Sequence, residues 1–394
     1  MPSAFSSIKA KEAIDLRKDL IAMILVGGKG TRLAGITRDL AKPAVSFGGK
    51  YRLIDFTLSN IANSNIDIVG IITQYEPQEL MAYIGSGASW DLDNIDGGLC
   101  FLTPYATNET ILWQRGTADA VKQYFNFITE NAAEHVLILY GDHIYKMDYD
   151  RMFSFHKEIG AEITIAGTRV KETETSRFGI MTIDSEKRLI DFQEKPKKSR
   201  SNMASMGIYL FNTDVLKTML NEANPEADFD FGKNIIPRAL KEKRHVAVYE
   251  FDDYWADVGT VESLHRVNMD LLDDPDFLTL NISRNLPIYS KSLNLPPHIV
   301  LDKARIVNSV IADGSIINGT VIHSTIGYKT IVEEGAIIED SVILPGVRIC
   351  KNAVIRNAIV NRNQVLPEGF RFTPEVVSLC DLESSSGQGG ERHG

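Results

Sequence analysis

Three cysteines, Cys100, Cys350 and Cys380, stand far apart in a chain of 394 residues. They form no CxxC pair, so neither a disulfide framework nor a zinc site is supported, and a reducing compartment fits this usage. Long apolar runs are also missing. Met1 to Leu20 lacks an apolar core of signal-peptide length, and the longest early run, Leu20 to Val26, is far too short to span a bilayer. A cytoplasmic protein with no membrane partner is expected. Basic residues are not in excess: 42 Lys and Arg stand against 52 Asp and Glu, a net charge of −10. Such a surface repels phosphate backbones, which argues against broad nucleic-acid binding but leaves room for a small anion held by local cations. Two phosphate-binding signatures are absent as well. The Rossmann GxGxxG pattern would need glycine where the chain has Leu33, and no P-loop spacing occurs.

What is present suits a soluble chain of two or three domains, with 44% hydrophobic and 24% charged residues. Up to about residue 275, buried strands alternate with helices. Leu20–Val26, Asp67–Thr73 and His135–Tyr140 read as strands; Asp55–Asn63 and Thr117–Thr129 read as helices. This rhythm predicts a mainly parallel, doubly wound α/β sheet. Ile163–Gly167, Ile180–Ile183 and Leu189–Phe192 read as a partly antiparallel insertion, Met206–Phe211 as a further strand and Val261–Leu272 as a closing helix. Residues 276–298 carry Pro287, Pro296 and Pro297 and read as a linker. From residue 299 to 372 aliphatics recur every six residues: Ile311, Ile317, then Ile326, Val332, Ile338 and Leu344. A hexapeptide repeat predicts a parallel β-helix with each of these side chains pointing inward. Residues 373–394 read as an extension with a polar, disordered end.

Directly after the first strand comes Gly27-Gly28-Lys29-Gly30-Thr31-Arg32-Leu33. Glycines at a strand end let backbone N–H groups approach phosphate oxygens, and Lys29 and Arg32 add cationic donors. Asp142 follows the strand Val136–Tyr140 and projects toward the ligand crevice of such a sheet; taken alone it also reads as a helix cap. Asp257, in Trp255-Ala256-Asp257-Val258-Gly259, is a second carboxylate before a helix. Two carboxylates converging on a triphosphate would suit Mg²⁺. Glu194-Lys195-Pro196 taken alone reads as solvated surface.

The fuller string is more specific. Gly-Gly-x-Gly-Thr-Arg-Leu, then Thr37 and Lys42-Pro43-Ala44-Val45, resembles the opening of sugar-nucleotide pyrophosphorylases. With Ile72-Thr73-Gln74-Tyr75, Gly116-Thr117-Ala118-Asp119, Gly141-Asp142-His143-Ile144-Tyr145, Ser205-Met206-Gly207-Ile208-Tyr209 and the Trp255 segment, the pattern resembles the bacterial glucose-1-phosphate adenylyltransferases over nearly the whole chain. The resemblance implies a nucleotidyltransferase domain followed by a left-handed β-helix. It implies ATP and glucose 1-phosphate as substrates, ADP-glucose and diphosphate as products, and a place in glycogen synthesis. Asp142 and Asp257 would hold Mg²⁺, and Asp142, Arg32 and Lys42 would carry catalysis. Gly27, Gly28, Lys29, Gly30, Thr31, Gln74, Trp113 and Gly116 would bind the nucleotide. Gln114, Gly179, Glu194, Lys195, Ser205, Tyr209, Asp230 and Lys233 would bind glucose 1-phosphate. Gln114 departs from the Tyr that enterobacterial relatives carry there. A homotetramer, or a hetero-oligomer with a related regulatory subunit, is implied.

Other readings remain open at this stage. A sister enzyme could use another sugar or base. A non-catalytic regulatory subunit would be expected to lose the charges that Arg32 and Asp142 retain. Acyl transfer, common for hexapeptide helices, would rest on His323. Asp39 and Ser46 replace the basic residue and the His of activated enterobacterial relatives while Arg52 is kept, which puts their effector response in doubt.

Overall fold

The computed structural model describes residues 19–27, 30–95, 97–104, 114–222, 230–274 and 286–382. Leu20–Leu25 is buried along its whole length and lies at the middle of the main sheet. It pairs in parallel with Ile68–Ile72 on one side and His135–Tyr140 on the other, and Ile68–Ile72 pairs in parallel with Gly98–Leu102. A strand covered on both faces can be apolar at every position. Its alternate side chains accordingly enter two cores: Leu20, Ala22 and Ile24 join one cluster, and Ile21, Met23 and Leu25 the other.

The later strands turn the sheet antiparallel, as their composition suggested. Met203–Asn212 runs antiparallel to His135–Tyr140 and to Ile163–Arg169, and Leu189–Glu194 pairs antiparallel with Gly179–Ile183. Among the described residues this sheet has nine strands. One expected helix is broken. Thr117–Gln123 and Phe125–Glu130 are separate helices joined at Tyr124. Tyr124 is buried in the hydrophobic cluster against which Phe125 packs.

After Ile299 the chain winds into a left-handed parallel β-helix, with three sheets of five short strands each. Each strand pairs in parallel with its counterpart one coil on, so side chains stack in columns. Ile317, Val332, Ile349 and Leu366 form one, and Ile326, Ile343 and Val360 another. The six-residue reading failed at one corner. From Ile338 the next inward residue is Ile343, and Leu344 instead points out into the core of the α/β domain. That side of the coil is one residue short, which reverses the side-chain direction. The third sheet takes a further strand at Ser378–Cys380, beyond position 372.

This third sheet faces the α/β domain. Val342, Leu344 and Ile359 pack into the same core as Leu264, Val267 and Leu271 of the helix Val261–Asp273. Buried Asn268 ties the junction together: its Oδ1 accepts from the Gly48 N–H at 3.0 Å and from Thr325 Oγ1 at 3.2 Å. A side chain at Gly49, where φ is +74°, would meet the Ile326 carbonyl at 3.0 Å. No helix among the described residues is long and apolar enough to cross a membrane.

Candidate active site

Asp142 and Asp257 are distant in sequence, and a small ribbon brings them together. His135–Tyr140 ends at the sheet's C-terminal edge, Gly141 donates to the Leu25 carbonyl, and Asp142 follows. His143–Tyr145 then pairs antiparallel with Trp255–Asp257, in a register that sets His143 opposite Asp257. Lys42 completes the group from a short helical turn stiffened by Pro43. Its Nζ donates to Asp142 Oδ2 at 2.5 Å and to Asp257 Oδ1 at 3.2 Å. Burial alone would lower the Lys42 pKa, and the two carboxylates reverse that and raise it. Burial would raise the Asp142 pKa, but Lys42 and His143 hold it below the usual carboxylate range. Both groups therefore stay charged at neutral pH.

The remaining oxygen, Asp142 Oδ1, is buried and accepts no hydrogen bond. Asp142, His143 and Asp257 each bring a ligand atom within 4.8 Å of the others. Carboxylate oxygens around an unsatisfied acceptor suit a hard divalent cation. Arg32 borders the same point. A Cβ built on Gly259 would meet Arg32 Nη2 at 3.1 Å and Asp257 Oδ2 at 3.2 Å, so a side chain there would press on both the guanidinium and the carboxylate.

On one side of these charges lies a cavity of about 300 Å³ lined by Gly27, Lys42, Gln74, Gln114, Gly116 and Asp142, among others. Gln74 and Gln114 are tied by two hydrogen bonds: Gln74 Nε2 donates to the Gln114 carbonyl at 3.1 Å, and Gln114 Nε2 to the Thr73 carbonyl at 3.3 Å. Gln114, which the resemblance gave to the sugar phosphate, thus sits with the expected nucleotide residues. A Cβ on Gly27 would press on Gln74 at 3.2 Å. Gly30 turns the loop with φ +59°, and Thr37 Oγ1 donates to its carbonyl at 2.9 Å. Thr31 follows, exposed, at the start of a short helical turn. Gly28, Lys29 and Trp113 lie outside the described residues.

A second cradle is built around Glu194. The Glu194 carboxylate sits between two glycines: a Cβ on Gly179 would meet Glu194 Oε2 at 3.0 Å, and one on Gly232 would meet it at 2.7 Å. Lys195, held at φ +47°, keeps its Nζ 3.4 Å from Glu194 Oε1. A bulge between Ser205 and Tyr209 aims both inward, and the Ser205 hydroxyl accepts from the Gly207 N–H at 3.2 Å. Burial, then the nearby Asp230 and Glu194 charges, raises the Tyr209 phenol. Asp230 is more structural than expected. It accepts from Thr117 Oγ1 at 3.2 Å and from the Lys233 N–H at 3.1 Å, capping a helical turn, while the Lys233 side chain is exposed.

Several residues here escaped the sequence reading. Half-buried Tyr140 lines the cavity beside Asp142, and its phenol is pushed up by burial and by the nearby Tyr209 and Asp230. His143 stands 3.5 Å from Asp142 Oδ1 and stacks on Tyr140 at 5.9 Å between ring centroids. Arg177 lies 3.8 Å from Asp257 Oδ2. Adjacency to Asp142 and to Phe178-Gly179 was the available signal for the last two.

Comparison with known proteins agrees with this arrangement. Residues 21–274 match the Nucleotidyl transferase family, and residues 298–374 match the GlmU-like, C-terminal hexapeptide family. The chain is 49% identical over 361 residues to a glucose-1-phosphate adenylyltransferase of Bacillus mycoides, covering 91% of this chain and 96% of that protein. Proteins of the same name from Bacillus cereus and Bacillus anthracis match at 49% identity over the same shares of each chain.

Proposed function

The chain belongs to the glucose-1-phosphate adenylyltransferase family of nucleotidyl transferases, and on that premise we propose how its residues perform the reaction. The enzyme joins glucose 1-phosphate to the AMP part of ATP and releases diphosphate. An anionic oxygen of the sugar phosphate attacks the α-phosphorus; one P–O bond forms and the bond to diphosphate breaks in line. The nucleophile is already charged, so no side chain must remove a proton. Catalysis then rests on positioning and on neutralising phosphate charge.

The observation that carries this reading is the convergence of Lys42, Asp142 and Asp257 between the two cradles. Asp142 and Asp257 would hold Mg²⁺, supported by the buried, unsatisfied Asp142 Oδ1. The ion supplies charge neutralisation on the phosphates when bound. Lys42 and Arg32 meet the phosphates. Gln74 and Gln114 present amides that can both donate and accept, which suits an adenine edge. Glu194, acceptor-only when ionised, receives sugar hydroxyls; Lys195 faces the sugar phosphate, with Ser205 and Tyr209 closing the pocket.

On the same footing residues 1–275 form the catalytic unit and the β-helix serves subunit contact in a cytoplasmic homotetramer or hetero-oligomer. The product feeds α-glucan synthesis. Diphosphate release from glucose 1-phosphate with ATP, UTP, GTP or dTTP tests the assignment. ATP is expected to lead by at least roughly tenfold in kcat/KM. A purified chain that makes no nucleoside diphosphate glucose from any of the four ends the reading.

A further inference from the structure

Asp257 is approached from two sides by groups of different kinds. Its Oδ1 faces the crevice, 3.2 Å from Lys42 Nζ and 3.9 Å from His143 Nε2. Its Oδ2 lies 3.8 Å from Arg177 Nη2, with Arg32 across Gly259. Arg177 is itself well anchored. Its Nη1 donates to Glu174 Oε1 at 3.3 Å, and the same Glu174 oxygen accepts from Arg266 Nη1 at 3.3 Å. The guanidinium carbon lies 5.3 Å from the Phe178 ring centre, and Phe178 packs edge-on against Trp255 at 5.1 Å. Trp255 is in the same short strand as Asp257. Arg177 Nη2 is buried and makes no hydrogen bond. A buried guanidinium N–H is costly to leave without an acceptor, so this one keeps a standing attraction for the second oxygen of Asp257.

We propose that Arg177 is a positioning residue that keeps Asp257 presenting one oxygen to the metal, and so sets the preference of the site for a small ion. The proposal rests on the metal-site reading above. Mg²⁺ requires near-ideal octahedral geometry, retains water and takes carboxylates through single oxygens; Ca²⁺ is larger, accepts more ligands and tolerates a carboxylate bound through both oxygens. With Arg177 holding Oδ2, Asp257 can offer only Oδ1 without breaking that attraction. With Arg177 gone, the carboxylate is free to turn both oxygens toward the crevice. That freedom favours Ca²⁺ and gives Mg²⁺ nothing. Glu174 acts one step further back: bridging Arg177 and Arg266, it links this restraint to the helix Val261–Asp273.

The test measures ion binding directly. Mn²⁺ binding to full-length protein with ATP and no sugar phosphate is followed by electron paramagnetic resonance, and Mg²⁺ and Ca²⁺ are titrated as competitors. Wild type, Arg177→Gln, Arg177→Lys and Asp257→Asn are compared. Arg177→Gln is expected to shift the Mg²⁺/Ca²⁺ affinity ratio toward Ca²⁺ by about tenfold, the size of one charge-assisted contact. Arg177→Lys, which keeps the charge, should restore at least half of the shift on a logarithmic scale. Glu174→Gln should give a smaller shift of the same sign, and it serves as the primary variant should Arg177→Gln not fold. An unchanged ratio in the folded variants overturns the proposal, as does an equal loss of both ions, which a merely structural Arg177 would produce. Mn²⁺ binding in wild type that is unaffected by Asp257→Asn would instead overturn the metal-site reading itself.

Discussion

The two domains treat charge in opposite ways. Inside the β-helix the stacked columns are aliphatic, and ion pairs such as Arg348–Glu333 lie on its outer surface. The α/β domain buries Lys42, Arg52, Asp55 and Asp119. Burying charge is expensive unless each group is paired, so it persists where pairing does chemistry or fixes geometry. A repeating coil gains stability from each added layer and needs no such groups. The contrast therefore separates a region that supplies stability from one that places charges, and substitutions in each should differ in what they damage.

Asp142→Asn gives the largest effect expected. It removes a charge from the phosphate-facing cluster while keeping the side chain's shape, and Lys42 retains Asp257 as a partner. kcat should fall by at least about 10³, near 4 kcal/mol of transition-state stabilisation, while Tm moves by less than about 5 °C. Steady-state kinetics and thermal melting check the pair of values. A kcat loss under tenfold would mean that charge placement is not the function of this region.

Ile338→Ala probes the opposite case. Ile338 is fully buried in the coil interior, stacked between Val321 and Ile355. Removing it should destabilise the protein by about 2–5 kcal/mol. kcat of the folded fraction should stay within about twofold, because the site lies in the other domain. Urea unfolding followed by circular dichroism, with activity measured well below the transition, reads both. A large kcat loss in fully folded variant would show that the coil sets active-site geometry through the helix Val261–Asp273.

How legible each region was follows the same division. The continuous apolar run at Leu20–Leu25 announces a buried strand because both faces are covered. The β-helix was legible from its period, but a strict six-residue register misses the five-residue side that recurs at Val321–Ile326, Ile338–Ile343 and Ile355–Val360 and turns Leu344 outward. Lys42, Asp142 and Asp257 were found through a motif resemblance, but their convergence needed the His143–Asp257 register, which is a long-range fact. Tyr140 had no local signal and Arg177 only its place beside Phe178-Gly179, because their roles come from what packs around them. Asp230 looked like a ligand contact, yet its carboxylate caps a turn.

Two histidines carry the comparison down to the smallest effects. His156 in the α/β domain is buried between Thr164 Oγ1 at 2.7 Å and Asn212 Oδ1 at 2.8 Å, and burial pushes its pKa down to about 4. The unfolded chain takes up the proton near pH 6.5, so His156 supports folding above that value and the support is lost as pH falls toward 4. Between pH 7.5 and 5 the loss is about 2 kcal/mol. Asp55, raised by burial to about 7, acts with the opposite sign, its support present at low pH and lost as pH rises through that value. The readout is therefore the stability difference between wild type and His156→Gln, which should shrink by about 2 kcal/mol over this window. His323 on the β-helix lies 2.6 Å from Asp340 Oδ1 and 3.0 Å from Asp273 Oδ1. Burial would lower its pKa, and the two carboxylates raise it instead. Its support is present below pH 6.5 and lost as pH rises, so the difference between wild type and His323→Ala should grow toward pH 5. With both aspartates largely exposed, that growth should stay under about 1 kcal/mol. Urea midpoints at the two pH values decide the matter. Equal slopes for the two variants would mean that the domains do not differ in how they hold titrating groups.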